Sequence, residues 1–298
     1  MQDSRPGTGL MGPLAILGPG NLGLSLARHA VERGLEVRLV GRNRTHAASG
    51  LRKVLAHWKR AVAEGRLEPM VLQARECRIR ASRDVDEALE GAGALLEAIP
   101  EDLALKAEHW RRMASRWPQQ VLPLTASSSL PASLIRREGS LPPGLQNFHL
   151  FIPVHRHPLV ELATPADTPE RLTLGAQRLA QALDLRIAVI DERKGLAASR
   201  MGLAQGLEAM RLLQEGSATA ENLDLLMTSG YGHPCGPLEL SDRVGLDLRL
   251  AIAQFIYESS GDPCFAPPRI LVEKVAKSEL GRKSGRGFFT WTSDGKKL

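Results

Sequence analysis

The run Gly18-Pro19-Gly20-Asn21-Leu22-Gly23 follows an apolar stretch at 14–17 and opens a helix-like segment that runs through Arg28. Three glycines at this spacing, between a strand and a helix, suit a pyrophosphate. Gly18 makes the tight turn, Gly20 lets the backbone approach the anion, and Gly23 lets the helix pack on the strand. The amides of Asn21 and Leu22 begin the helix, with the positive end of its dipole behind them. A dinucleotide is the expected ligand.

The end of the next strand, at 37–40, bears on which dinucleotide. An acid there accepts hydrogen bonds from the adenosine ribose, but this chain has Gly41 followed by Arg42, Asn43 and Arg44. Without the acid there is no repulsion toward a 2′-phosphate, and two guanidinium groups can bind one through charge-assisted hydrogen bonds. The expectation is NAD(P), with NADP(H) favoured. The competing reading is that Arg42 and Arg44 are solvated loop charges and that NAD(H) binds through other groups.

Elements able to hold such a site are legible along the first two thirds of the chain. Segments 14–17, 37–40, 94–99, 121–125, 146–151 and 187–190 read as strands, separated by amphipathic stretches at 22–33, 47–63 and 103–116. That alternation is the mark of a parallel sheet covered by helices. After Asp191 the pattern changes to helical periodicity at 195–215, 220–227, 237–258 and 267–277. The expected fold is α/β, with a Rossmann-like dinucleotide-binding domain at 1–192 and an all-helical domain at 193–298. The GRKSGRGFF segment, too rich in Gly and Ser for a helix interior, is expected to be a turn-forming close.

Composition narrows the function classes. The 298 residues include 39 Lys and Arg against 33 Asp and Glu, a formal net charge of +6, with 43% apolar residues. The basic residues are scattered among acids, and six Phe and two Tyr offer little for base stacking, so nucleic acid is not an expected partner. Cys77, Cys235 and Cys264 are odd in number and lack CxxC spacing, which supports neither a disulfide framework nor a zinc site and fits a cytoplasmic setting. No apolar run approaches the ~18 residues of a membrane span, and residues 1–11 lack the apolar core of an export signal.

Six ordered blocks resemble the short-chain L-3-hydroxyacyl-CoA dehydrogenases. They are GPGNLG, LLEAIPEDLALK at 95–106, SSSL at 127–130, NFHLFIPVHRHPLVEL at 147–162, GYGHPCGPLELSDRVGLD at 230–247 and ELGRKSGRGFFTW at 279–291. The resemblance implies that His149 is the general acid/base on the 3-hydroxyl and that Glu161 orients its imidazole. A base titrating near neutrality suits that proton transfer. The resemblance also implies that Ser128 hydrogen-bonds the substrate oxygen, and that Ala98, Glu101 and Lys106 lie on the cofactor side. Arg52, Lys53, Lys59 and Arg60 fall where the family holds the phosphates of CoA, though a charge cluster is also what any wet helix face carries. A homodimer built on the helical domain is implied as well.

Three positions depart from the family pattern, whose asparagines are replaced by Ala126, Ile152 and Ser199. Ser199 is shorter by an amide group but still able to donate near the substrate carbonyl. His155-Arg156-His157 reads either as a cationic rim for a carboxylate or phosphate or as an exposed loop; a metal there is not expected. The leading expectation is hydride transfer between C3 of a 3-hydroxyacyl thioester and a nicotinamide. Alternatives are the same chemistry on an acyl-carrier-protein thioester or a free hydroxy acid, and a dinucleotide-binding paralogue of low activity.

Overall fold

The computed structural model describes residues 12–141 and 143–298; the segment 1–11, read above as lacking an export signal, lies outside the described residues. The chain forms two compact units, the first ending at Arg193 and the second spanning Lys194–Leu298.

The first unit alternates strands and helices. In order these are β1 (Leu14–Leu17), α1 (Asn21–Glu32), β2 (Val37–Val40), α2 (Arg44–Ala63), α3 (Pro69–Glu76), β3 (Ile79–Ala81), α4 (Val85–Leu89), β4 (Ala94–Glu97), α5 (Leu103–Ala114) and β5 (Leu122–Thr125). There follow α6 (Ala132–Glu138), β6 (Gln146–Leu150), β7 (Leu159–Ala163), α7 (Glu170–Ala182) and β8 (Arg186–Ile190). The eight strands form one sheet in the order β3-β2-β1-β4-β5-β6-β7-β8. Every pairing is parallel except β6 with β7.

β1, β4 and β5 are buried throughout, as strands covered on both faces must be. Leu14, Ile16, Leu39, Leu96 and Leu124 form the centre of the core, with Trp58 of α2 closing one side. Side-chain caps set the helix starts: Asn43 accepts from the His46 amide before α2, and Asp102 accepts from the Leu105 amide before α5. The chain order reverses direction between β1 and β4, and ligands of open α/β sheets bind at such a switch point, beyond the carboxyl ends of the strands.

The second unit contains α8 (Ala197–Gln214), α9 (Ala220–Leu225), α10 (Pro237–Val244), α11 (Leu246–Ser260) and α12 (Arg269–Ala276). Leu207, Met210, Leu238, Leu246, Ile256 and Phe289 are in its core. The segment 237–258, read above as one helix, is broken at Gly245, whose φ of 107° ends α10 and starts α11. Helix α9 runs on into a π turn at Leu226–Gly230, so the helical segment outlasts the expected 220–227. The closing segment turns, as expected for its composition, and adds short bridges between Gly281 and Arg286, Arg286 and Thr290, and Trp291 and Lys297. Asp242 fastens it: its carboxylate accepts from the amides of Phe288 and Phe289 and from the Trp291 indole, each at 2.9 Å.

Candidate active site

The glycine loop leaves β1 and enters α1 at the switch point. Gly18 has a φ of +110°, and a Cβ there would lie 2.6 Å from the carbonyl oxygen of Ala98 at the end of β4. The Ala98 amide in turn donates to the Leu17 carbonyl at 2.7 Å. A Cβ at Gly23 would lie 2.0 Å from the Gly18 carbonyl oxygen. Gly20 is different, because a Cβ built on it meets nothing within 4 Å. Protein packing therefore explains Gly18 and Gly23, whereas Gly20 leaves an open cradle beside the first amides of α1, which carry no side-chain cap. That cradle fits a dinucleotide pyrophosphate.

One prediction follows from this contrast. Gly20→Ala should leave the urea midpoint near wild type while weakening dinucleotide affinity by about 10-fold or more, the scale of one displaced charge-assisted contact. Gly23→Ala, which drives a methyl into backbone, should lower the midpoint itself. Titration calorimetry alongside urea denaturation reads both.

Gly41 also owes its identity to packing. A Cβ there would stand 2.6 Å from the Ala47 amide nitrogen, so the approach of α2 leaves no room for an acidic side chain at the end of β2. Arg42 and Arg44 flank the Asn43 cap and are exposed. Arg52, Lys53, Lys59 and Arg60 lie on the wet side of α2, away from Val54, Trp58 and Ala61; the Lys59 ammonium is 3.7 Å from Glu76 Oε1.

Three neighbouring strand ends carry the remaining groups. Glu97 closes β4, the serine segment follows β5, and His149 lies in β6. His149 and Glu161 are directly opposed in the antiparallel β6–β7 ladder, and His149 Nδ1 lies 2.8 Å from Glu161 Oε2. Glu161 is almost fully buried, whereas the imidazole is partly exposed. With Nδ1–H donating to the carboxylate, the Nε2 lone pair is left for a ligand; among the described residues Nε2 has no hydrogen-bond partner. Phe151 packs against the ring, with centroids 4.8 Å apart.

Of the three consecutive serines, Ser127 and Ser129 spend their hydroxyls on Glu101 Oε1, each at 2.7 Å. Ser128 is the partly exposed one, and its hydroxyl has no partner among the described residues. Glu101 is held below the usual carboxylate range: burial opposes its ionisation, but the Lys106 charge and the serine donors outweigh that cost.

Lys106 departs from its expected place on the cofactor. Its side chain is 1% exposed, with Nζ 2.7 Å from Glu97 Oε1, 3.5 Å from Glu101 Oε2 and 3.2 Å from the Ile99 carbonyl oxygen. A buried ammonium with these partners has no face left for a ribose. Glu101 gives its Oε1 to the serine segment, while its side chain stays 18% exposed. Glu97 was not singled out in the sequence, yet it is fully buried and binds Lys106, the Ile99 amide and the Thr125 hydroxyl. An acid ending an apolar strand run was the available signal, since buried acids are paired.

In the second unit Ser199 sits in the first turn of α8, half-buried. In the first, Ile152 is 51% exposed, and His155, Arg156 and His157 are exposed as well.

The family model for the NAD binding domain of 3-hydroxyacyl-CoA dehydrogenase matches residues 13–223, and the one for the C-terminal domain matches 195–291. The chain belongs to the 3-hydroxyacyl-CoA dehydrogenase family. A probable 3-hydroxybutyryl-CoA dehydrogenase of Bacillus subtilis is 30% identical to this dehydrogenase over 278 residues, 93% of this chain and 96% of that one. Crystal structures superpose closely on it. FadB2 of M. tuberculosis gives a TM-score of 0.87 at 27% identity, covering 95% of this chain and 99% of that one. The (S)-3-hydroxybutyryl-CoA dehydrogenase PaaH1 of Ralstonia eutropha gives 0.88 at 27% identity, covering 95% and 100%. This dehydrogenase is accordingly an oxidoreductase acting on a CH–OH group with a nicotinamide cofactor. Among the described residues no helix is long and apolar enough to cross a membrane.

Proposed function

We propose that the chain interconverts 3-hydroxyacyl-CoA and 3-ketoacyl-CoA, with His149 as acid/base, Glu161 as its orienting partner and Ser128 as the donor to the C3 oxygen. The observation that carries the assignment is the His149–Glu161 pair at 2.8 Å with Nε2 left over. A bound nicotinamide supplies the hydride acceptor in one direction and the donor in the other. His149 Nε2 takes the hydroxyl proton as the C3 oxygen becomes a carbonyl, and returns it in reduction. The Glu161 carboxylate steadies the imidazolium that forms. The free Ser128 hydroxyl serves alcohol and carbonyl alike, because it both donates and accepts. Ser199 is proposed as a further donor to the substrate, and the basic side of α2, through Arg52, Lys53, Lys59 and Arg60, as the site of CoA phosphates.

NADP(H) is the favoured cofactor in this reading. The support is the absent acid at Gly41 together with exposed Arg42 and Arg44 beside the N-terminus of α2, where an anion is also favoured by the helix dipole. The test is the initial rate of acetoacetyl-CoA reduction with NADPH and with NADH, using wild type and the double variant Arg42→Ala/Arg44→Ala. NADPH should be preferred, and the double variant should lose about 10-fold or more of that preference, the value of one charge-assisted phosphate contact. Faster turnover with NADH in the wild type would overturn the cofactor preference alone. Turnover of free hydroxy acids at equal rates would overturn the CoA assignment. The proposed assembly is a cytoplasmic homodimer, with sedimentation velocity as its check.

A further inference from the structure

We infer that Asn147 is a positioning residue which, with Glu101, clamps the segment 127–132 so that Ser128 presents the one free hydroxyl of the three serines. The inference rests on the role proposed above for Ser128. Asn147 lies in β6, fully buried, beside Thr125 of β5 in the parallel ladder. Its Oδ1 accepts from the Ala132 amide at 2.8 Å, and its Nδ2 donates to the carbonyl oxygens of Ser127 at 3.2 Å and Leu130 at 3.0 Å. Two carbonyls can only accept and an amide can only donate, so the side-chain orientation is fixed, and a carboxylate of the same shape would meet two carbonyl oxygens with no proton to offer. Position 126, where the segment begins, is a buried Ala with no polar side-chain group, so it gives the segment no such support.

Glu101 holds the same segment through different atoms. Its Oε1 accepts from the amides of Ser128 at 3.1 Å and Ser129 at 2.8 Å, besides the two hydroxyls. The Ser127 amide goes to Thr125 Oγ1 and the Leu130 amide to Ser127 Oγ. All four amides of 127–130 are thereby engaged, two carbonyls are held by Asn147, and two of the three hydroxyls are spent. The hydroxyl that remains is Ser128 Oγ.

The clamp also ties that hydroxyl to the base. Asn147 and His149 are two residues apart in one strand and share a face of the sheet. The strand that carries the imidazole therefore also sets the height of the serine segment, which fixes where a C3 oxygen held by Ser128 meets Nε2. Misplacement of about 1 Å at such a site costs up to about 10²-fold in rate.

The test compares wild type, Asn147→Ala, Ser128→Ala and the double variant in acetoacetyl-CoA reduction, with amide hydrogen exchange over 127–130 as a second readout. Asn147→Ala should lower kcat by about 10–100-fold and leave the KM for the dinucleotide unchanged. The double variant should be no slower than Ser128→Ala alone, because groups that act as a unit are not additive. Multiplying losses would overturn the action through Ser128. Exchange at 127–130 should quicken at least about 10-fold in Asn147→Ala while β1 and β4 keep their protection. Unchanged exchange would overturn the clamp, even if the wild type turned over no acetoacetyl-CoA and the proposed function had failed by itself. Should Asn147→Ala not fold, Glu101→Ala, which removes the Oε1 acceptor, replaces it, with the same expected rate loss, non-additivity and exchange.

Discussion

Replacing His149 by alanine is expected to lower kcat for acetoacetyl-CoA reduction by about 10²–10⁴-fold, the usual contribution of a positioned general acid/base. Dinucleotide affinity should stay at the wild-type value, since the glycine loop and the switch point between β1 and β4 do not involve the imidazole. Glu161→Gln should also slow the reaction. It keeps the shape but withdraws the carboxylate at 2.8 Å that fixes the ring tautomer and offsets the imidazolium charge. The double variant His149→Ala/Glu161→Gln should be hardly slower than His149→Ala, because Glu161 acts through the ring. A His149→Ala enzyme with wild-type kcat would remove the acid/base assignment.

The second large effect concerns stability. Lys106→Met should destabilise the first unit by about 3–5 kcal/mol, the cost of leaving a buried charge without its counterion. Glu97 is fully buried and takes the Lys106 ammonium at 2.7 Å, so the variant strands its carboxylate among β1, β4 and β5. Adding Glu97→Gln to Lys106→Met should recover a large part of the loss, since the uncompensated charge is then gone. Urea denaturation of the three variants checks the ordering, and a Lys106→Met midpoint equal to wild type would contradict it. The network also predicts the direction of acid sensitivity. Glu101 is depressed below the usual carboxylate range, so its ionised form contributes stability above about pH 4.3, the ordinary glutamate pKa, and that contribution fades as pH falls further through the folded value.

What the sequence disclosed and what it concealed follow from how local each signal is. The strand, glycine loop and helix at 14–32 are contiguous, and each glycine has a separate steric task, so they are readable from one end of the motif to the other. Strand β7 was missed because it holds a charged residue in an apolar run and gains its meaning only from pairing with β6. Helix α3 buries no residue and so shows no periodicity. The serine clamp joins residues 20 and 28 positions apart, and nothing in the spacing of Asn147 or Glu101 announces it. For Lys106 the family pattern pointed to the cofactor side, while the neighbouring Glu97 draws its charge into the core.

The antiparallel turn of β7 in an otherwise parallel sheet has a consequence for how the enzyme tolerates change. His149 faces Glu161 by ladder register, and the connection at 151–158 closes that hairpin. A register slip of one residue would send the carboxylate to the opposite side of the sheet. Within the connection Val154 is buried and its amide donates to Ser25 Oγ at 3.0 Å, while Phe151 packs on the His149 ring, so the positions open to change are the exposed ones, Ile152 and His155 to His157. Change in the connection is therefore expected to spare the proton-transfer pair where it keeps the loop length that holds the register.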